Sequence, residues 1–205
     1  DEVCTELKKD PVQFRLELFE KAKNVPPPAN DQQARFRSDP DKYRSVVELV
    51  AKMCNWGTTP PGVHRGMATW YSFGSYSAQV VEVKIVNGNP RIVKVFCAVN
   101  CGRVINLSGA ENQIQGAIVD GIWHAIFPKI TFVNGAVAET NFHSYKFLRM
   151  KDAPLDIEVK FVDSDEAPTG LGEPALPPVA AALANAIYAA TGKRIRKMPF
   201  AEQLG

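Results

Sequence analysis

The sequence predicts an α+β fold, in which groups of helices and groups of strands follow one another along the chain. Three observations indicate this class: helical segments at both ends, a strand-rich block at 65–99, and an apolar helix at 110–126 followed by further strand-like sequence. Such an order is typical of proteins whose helices pack against antiparallel or mixed sheets. We therefore expect mixed or antiparallel sheets with packed helices.

The first 60 residues predict helices joined by a proline-rich connector. Asp10 and Pro11 fit the N-cap and first position of one helix, and residues 45–55 carry apolar side chains at helical spacing. The connector, residues 24–41, contains three consecutive prolines, which favour an extended conformation over helix. The chain begins on helical sequence without Met or a leader peptide. We expect it to be the tail of a longer polypeptide, with a processed subunit as the alternative.

Residues 61–205 predict the α+β body of the protein. Strands are expected at 65–73, 77–86, 91–99, 129–133, 136–142 and 156–162. The first three should form an antiparallel meander, with Asn87-Gly88-Asn89 as a turn. Helices are expected at 110–126 and 177–190, the second ending at Thr191-Gly192. The chain thus divides into residues 1–60, helices and connector, and residues 61–205.

Composition identifies a globular chain and argues against two other classes. Apolar residues make up 45% of the 205 residues, as in proteins with a packed core. The 24 Lys and Arg residues nearly balance 22 Asp and Glu residues, so the basic surface typical of nucleic-acid binding is missing. The longest uncharged apolar run, residues 179–190, is shorter than the ~18–20 residues that cross a bilayer. We expect no nucleic-acid partner and no membrane span.

The cysteines and histidines do not form a metal-binding pattern. Cys97 and Cys101 share a face if both lie on one strand, but their side chains would be roughly 13 Å apart. This separation is too large for a disulfide or a shared metal ion. His64, His124 and His143 also lack ligand spacing. We therefore expect buried or half-buried thiols and no metal held by protein ligands.

The segment Gly170-Leu171-Gly172-Glu173-Pro174 is the first candidate for a functional site. Glycines allow close approach of the backbone, and a proline favours an extended conformation of the residue before it. The helix that follows should present free N–H groups and a partial positive charge. A carboxylate in this position can act as a general base. The alternative is that Glu173 only flanks a helix start, as many charged residues do.

The second candidate is Gln113-Ile114-Gln115-Gly116, inside the predicted apolar helix. A glutamine amide offers a donor and an acceptor, which suits a planar heterocycle. The alternative is a core glutamine whose amide is paired internally. Gly116 and Gly121 each cost about 1 kcal/mol relative to Ala in a helix. We expect something to pack closely against their backbone.

Five segments in the same order resemble one protein family. They are residues 10–15 (DPVQFR), 101–106 (CGRVIN), 113–116 (QIQG), 170–175 (GLGEPA) and 177–186 (PPVAAALANA). Together they resemble the C-terminal part of the molybdopterin-binding subunit of the xanthine dehydrogenase / aldehyde oxidoreductase family. Residues 72–76 (SFGSY) and 184–193 (ANAIYAATGK) are similar to the isoquinoline 1-oxidoreductase beta-subunit type.

The resemblance implies an enzyme that oxidises an N-heteroaromatic or aldehyde carbon with water-derived oxygen. Glu173 matches the glutamate that acts as general base at the molybdenum-bound hydroxyl. Gln113 matches a glutamine that contacts the pterin. Gly172, beside the base, and Gly116 match positions where the backbone lies close to the cofactor.

The resemblance also implies cofactors and partners. The cofactor is molybdenum–molybdopterin, with the cytosine dinucleotide as one of its forms, and [2Fe–2S] clusters on a partner subunit carry the electrons away. Other implied partners are the N-terminal part of the molybdopterin-binding subunit, a cytochrome c electron acceptor and a small-molecule substrate. Two alternatives remain open: a non-catalytic structural subunit or fragment that completes the site only with the missing N-terminal polypeptide, and an unrelated α+β binding module.

Overall fold

The computed structural model describes residues 1–26, 38–154 and 156–204. Helices α1 to α6 are Glu2–Leu7, Pro11–Ala22, Pro40–Met53, Leu107–Ile126, Pro177–Thr191 and Ala201–Leu204. Strands β1 to β6 are His64–Ser72, Ser75–Val86, Asn89–Asn100, Phe132–Val133, Ala136–Val137 and Asp156–Phe161. Within these ranges, none of the helices combines the length and hydropathy that a membrane crossing requires.

The central sheet is mixed, which confirms the predicted α+β class. Its strand order is β1-β2-β3-β6; the first three strands are antiparallel, and β6 runs parallel to β3. The predicted turn at Asn87 and Gly88 joins β2 to β3, with φ angles of 52° and 79°. Asn and Gly adopt this left-handed backbone most easily, and it matches the twist of a tight hairpin.

Helices cover both faces of this sheet. On one face, α4 and α5 pack over strand residues such as Val81 and Val95. On the other face, α2 and α3 pack over strand residues such as Ala78 and Val80. Successive side chains of a strand point to opposite faces, so β2 contributes to both layers and is buried on both sides. This double burial explains its largely apolar sequence.

One helix begins earlier than the sequence predicted. The helix expected from Ser45 starts at Pro40, because the Asp39 side chain accepts hydrogen bonds from the N–H groups of Asp41, at 2.8 Å, and Lys42, at 3.4 Å. This is an N-cap followed by proline at the first helical position. The predicted connector, 24–41, therefore ends at the cap, and its residues 27–37 lie outside the described residues.

The hairpin expected over residues 129–142 is much shorter than predicted. The paired strands β4 and β5 have two residues each, around the turn at Asn134 and Gly135, and one further hydrogen bond of 2.8 Å joins the Ala138 N–H to the Thr131 carbonyl. Phe132 is 71% exposed and Val133 is 55% exposed. An uncovered two-stranded hairpin is marginally stable, and no described part of the chain covers these side chains, which explains why the pairing stops.

Two glycines allow α5 to pack closely on its neighbours. A Cβ atom at Gly66 of β1 would lie 2.1 Å from the backbone nitrogen of Ala186 in α5. A Cβ atom at Gly121 of α4 would lie 2.8 Å from the carbonyl oxygen of Leu176, where α5 begins. The close packing expected at the helical glycines is therefore present at Gly121. At Gly116, a Cβ atom would meet nothing within 4 Å in the described part of the chain.

Candidate functional site

The loop over residues 163–176 runs past the hairpin that joins β1 to β2. The Thr169 N–H donates to the Cys101 carbonyl, and the Gly170 N–H donates to the Phe73 carbonyl, both at 2.9 Å. A Cβ atom at Gly170 would lie 2.5 Å from the Cβ atom of Phe73. Glycine is therefore required at 170 for the loop to lie this close to the hairpin.

Glu173 lies on the exposed side of this loop. Its backbone carbonyl accepts a hydrogen bond of 3.1 Å from the Leu176 N–H, while its side chain has no partner among the described residues. The next two residues, Pro174 and Ala175, are buried. The loop thus combines a free carboxylate with an anchored backbone immediately after it.

The start of α5 offers fewer backbone donors than the sequence suggested. Pro177 and Pro178 occupy the first two helical positions, and proline has no N–H. The Val179 N–H donates to the Leu176 carbonyl at 3.3 Å. The expected row of free N–H groups near Glu173 is therefore mostly missing.

Three buried polar side chains of β2 hold the carbonyl groups of the loop. We call them the polar ladder: Ser75, Ser77 and Gln79. The hydroxyl of Ser75 donates to the Gly170 carbonyl at 2.6 Å. The hydroxyl of Ser77 donates to the Pro174 carbonyl at 2.9 Å, and the amide of Gln79 donates to the Ala175 carbonyl at 2.5 Å.

The polar ladder was not predicted from the sequence. The signal that could have found it is a polar residue at every second position of a strand that is otherwise apolar. Positions with this spacing share one face. On a strand buried on both sides, a polar residue needs a hydrogen-bonding partner, which points to a nearby segment with free backbone groups.

The second candidate segment lies on α4. Gln113 is exposed, and its amide has no hydrogen-bond partner in the described ranges, so the alternative of an internally paired core glutamine does not describe Gln113. Gln115 is half-buried, and its amide lies 3.5 Å from the Ile157 carbonyl of β6. Gln113 and Gly116 therefore leave polar groups and backbone accessible on this helix.

Gly116 lies in the wall of an open cavity of about 770 Å³ between α4 and the segment that leads into β6. Asn112 and Asp156 supply polar groups to its wall. Trp123 and Phe147 form the aromatic end of the cavity, with stacked rings whose centroids are 5.2 Å apart.

The other predicted site residues, Glu173, Gly172 and Gln113, do not line this cavity. The structure therefore places the four predicted site residues in pairs, two on the loop before α5 and two on α4, and the two helices meet at Gly121.

All four cysteines are free and buried, which confirms the prediction of buried thiols. Burial raises the pKa of Cys97 to about 12, against a smaller opposing effect of a hydrogen bond with Gln79. Burial likewise raises the pKa of Cys54 to about 11. Among the residues the structure describes, no three His, Cys, Asp or Glu side chains are grouped so that they could hold a metal ion.

Comparisons with known proteins identify the family of the chain. Residues 10–154 match the family model of the molybdopterin cofactor-binding domain. The chain is 33% identical to the membrane-bound aldehyde dehydrogenase [pyrroloquinoline-quinone] of Gluconacetobacter polyoxogenes, over 97% of this chain and 26% of that protein. It is 30% identical to the isoquinoline 1-oxidoreductase subunit beta of Brevundimonas diminuta, over 97% of this chain and 24% of that protein. The chain thus spans about a quarter of the length of these relatives.

Solved structures share the fold. Quinoline 2-oxidoreductase from Pseudomonas putida 86 aligns with a TM-score of 0.53 and 24% identity, over 62% of this chain and 17% of that chain. Aldehyde oxidoreductase from Desulfovibrio gigas aligns with a TM-score of 0.52 and 24% identity, over 61% of this chain and 14% of that chain. The family model covers more than half of the chain, and the isoquinoline oxidoreductase relative covers nearly all of it. The chain therefore belongs to the molybdopterin cofactor-binding domain family of the molybdenum hydroxylases, the xanthine dehydrogenase and aldehyde oxidoreductase group.

Proposed function

We propose that this chain forms one part of the active site of a molybdopterin-dependent hydroxylase that oxidises an aldehyde or N-heteroaromatic carbon. The observation that carries the proposal is the position of Glu173. Its carboxylate is exposed and unpartnered in the described part of the chain, on a loop fastened to the sheet on both sides of it. A general base needs this combination of accessibility and fixed position.

The residues present fit contacts to part of a pterin cofactor. A Cβ atom at Gly172 or Gly116 would meet nothing within 4 Å among the described residues, so both positions leave the backbone open to a neighbouring group. The free amide of Gln113 can both donate and accept hydrogen bonds, as a pterin ring requires. When bound, the molybdenum–pterin cofactor supplies the oxygen transfer and takes up the electron pair.

The part that the chain plays in this reaction is proton transfer and positioning. The Glu173 carboxylate accepts the proton of the water-derived oxygen as that oxygen attacks the substrate carbon. Proton transfer of this kind contributes about 10²–10⁴-fold to a rate. Gly172 keeps the space beside the carboxylate free of a side chain, and Gln113 and Gly116 act on the cofactor from α4.

The same proposal includes partners. The remainder of the molybdopterin-binding subunit completes the site, [2Fe–2S] clusters on a partner subunit remove the electrons, and a cytochrome c accepts them. The name of the Brevundimonas diminuta relative, a subunit beta, supports an assembly with other subunits. The cytosine dinucleotide form of the cofactor is part of the same proposal.

Two alternatives have an observation in their favour. The Gluconacetobacter polyoxogenes relative is named for pyrroloquinoline quinone, which would replace molybdopterin as the cofactor. A non-catalytic structural part is favoured by the separation of the predicted site residues, because Glu173 does not line the cavity that contains Gly116.

The test is the cofactor content of the purified complex that carries this chain, measured together with turnover. We expect about one molybdenum per complex by plasma mass spectrometry, pterin instead of quinone after extraction, and oxygen from labelled water in the hydroxylated N-heteroaromatic product. Glu173→Gln should keep the molybdenum and lower turnover by about 10²–10⁴-fold or more.

The matched control is Glu166→Gln, a second glutamate of the same loop, which is exposed and pairs with Lys42. This variant should retain turnover. A complex that contains quinone and no molybdenum would support the alternative with pyrroloquinoline quinone as the cofactor. A complex without metal, quinone or turnover would support the alternative of a non-catalytic structural part. Full turnover in Glu173→Gln would remove Glu173 from the role of base.

A further inference from the structure

The polar ladder lies in an unusual place for three polar side chains. Ser75, Ser77 and Gln79 are all fully buried, on a strand that pairs on both sides, with β1 and β3. The same face of β2 continues with the apolar residues Val81 and Val83. Burying a hydroxyl or amide is unfavourable unless it is hydrogen-bonded. The loop carbonyls therefore supply the partners that these buried side chains need.

The two ends of the loop are held in different ways. On the side before Glu173, backbone bonds to Cys101 and Phe73 already hold residues 169 and 170. On the side after Glu173, the carbonyls of Pro174 and Ala175 are bonded by the side chains of Ser77 and Gln79. Proline at 174 has no N–H of its own. These two side chains therefore fix the backbone directly after the proposed base.

The chemistry of the ladder is directional. Toward the loop backbone, the ladder groups act as donors, and their acceptors are carbonyl oxygens. The Ser75 hydroxyl also shares a hydrogen bond of 2.7 Å with the Thr169 hydroxyl. The other amide atom of Gln79, its Oε1, is buried and has no hydrogen-bond partner within the described residues. An amide turned the other way would place two acceptors against each other. The Ala175 carbonyl thus sets the orientation of the Gln79 amide. A side chain that only filled space in the core would not need a donor aimed at this carbonyl.

We propose that Ser77 and Gln79, assisted by Ser75, are positioning residues that fix the Glu173 carboxylate for proton transfer. This inference rests on the proposed function, because it requires Glu173 to be the base. Residues that place a reacting group contribute through geometry, and a displacement of about 1 Å can lower a rate about 10²-fold. The ladder acts through the loop backbone and does not itself touch substrate or cofactor.

The experiment is a double-mutant cycle between Ser77→Ala and Glu173→Gln in the assembled molybdenum enzyme. We expect Ser77→Ala to lower kcat by about 10- to 100-fold, with KM and molybdenum content unchanged. In the Glu173→Gln background the same substitution should have no further effect, because no base remains to be positioned. Residues that act as a unit show this non-additivity. Ser77→Thr, which restores a hydroxyl, should recover most of the kcat.

The matched control is Ser72→Ala, at the end of β1 opposite Ser75. The Ser72 hydroxyl is buried and has no hydrogen-bond partner in the described ranges, so its removal breaks no bond to the loop. This variant should keep the parent kcat. Gln79→Met keeps the side-chain length and removes the donor to Ala175. This variant is combined with Glu173→Gln in the same kind of cycle, so that the proposal can still be tested if Ser77→Ala does not fold.

The outcomes separate the two proposals. An inactive Glu173→Gln together with fully active Ser77→Ala and Gln79→Met would overturn the positioning role and leave the proposed function intact. Multiplicative losses in the double variants would also overturn it, since they show that the ladder acts independently of Glu173. A fully active Glu173→Gln would overturn the proposed base, and the positioning role with it.

Discussion

At the scale of single residues, the two glycines on either side of Leu171 have opposite surroundings. A Cβ atom at Gly170 would lie 2.5 Å from the Cβ atom of Phe73, whereas one at Gly172 would meet nothing within 4 Å among the described residues. Gly170 therefore serves the packing of the loop on the sheet. Gly172 has no such contact among the described residues, and under the proposed function its small size leaves room for the cofactor.

This difference predicts separate effects of Gly170→Ala and Gly172→Ala. Gly170→Ala should lower the free energy of unfolding by about 1–3 kcal/mol, the usual cost of overpacking. Gly172→Ala should leave the unfolding transition unchanged and lower the molybdenum content or turnover of the assembled enzyme. Urea unfolding and metal analysis of both variants make the comparison. Equal stability of the two variants would contradict the packing role of Gly170, and full activity of Gly172→Ala would contradict its place beside the cofactor.

Sequence patterns single out residues of this loop as candidates because the features that mark them are local. Glu173, its flanking glycines and the following prolines are consecutive, so their properties are visible in one segment. The polar ladder is about 95 positions away in sequence, and only the fold brings it to the loop. The donor-poor start of α5 was misjudged for another reason, since Pro177 and Pro178 remove the N–H groups that a helix start otherwise offers.

At the scale of elements, α4 carries two glycines on different sides. Gly121 faces the start of α5, where a Cβ atom would lie 2.8 Å from both the Leu176 carbonyl oxygen and a Val179 methyl carbon. Gly116 faces the open cavity beside β6. The helix is thus held against α5 on one side and left accessible on the other.

The two sides of α4 predict opposite stability changes. Gly121→Ala should destabilise the protein by about 1–3 kcal/mol, because the added methyl group separates α4 from α5. Gly116→Ala should stabilise it by up to about 1 kcal/mol, since alanine is the better helix former and meets no neighbour. Thermal and urea unfolding of the two variants measure the difference. A destabilising Gly116→Ala would show that its surroundings are more crowded than the structure indicates.

Sequence predicts elements whose ends are set by local chemistry. The cap at Asp10, the turn at Asn87 and Gly88, and the stop at Gly192 are all where the sequence placed them. The hairpin at 129–142 was overestimated, because the length of a strand pair depends on a covering layer that comes from elsewhere in the fold. The parallel pairing of β6 with β3 joins segments far apart in sequence, and periodicity within each segment does not specify it.

At the scale of the whole molecule, the sheet is covered on both faces, and each covered face contains a buried thiol. Cys97 belongs to the layer under α4 and α5, and Cys54 to the layer under α2 and α3. Burial penalises the charged thiolate. It raises the pKa of Cys97 from 9.0 to about 12 and that of Cys54 from 9.0 to about 11. Stability should therefore depend on pH in the alkaline range.

The sign of this dependence follows from proton binding. Below pH 9 these thiols are protonated in both the folded and the unfolded chain, so the contribution of burial to stability is fully present. Between pH 9 and the raised values, the unfolded chain loses protons that the folded chain retains, so stability falls as pH rises. One thiol lowers the free energy of unfolding by about 1.4 kcal/mol per pH unit in this window.

Cys97→Ala should remove one such contribution. The free energy of unfolding should then decrease less steeply between pH 9.5 and 11, by about that amount. Urea unfolding at several pH values measures the slope, and an overall lower stability from the lost packing does not affect it. An unchanged slope in Cys97→Ala would show that this thiol is not held neutral between the sheet and α4 and α5.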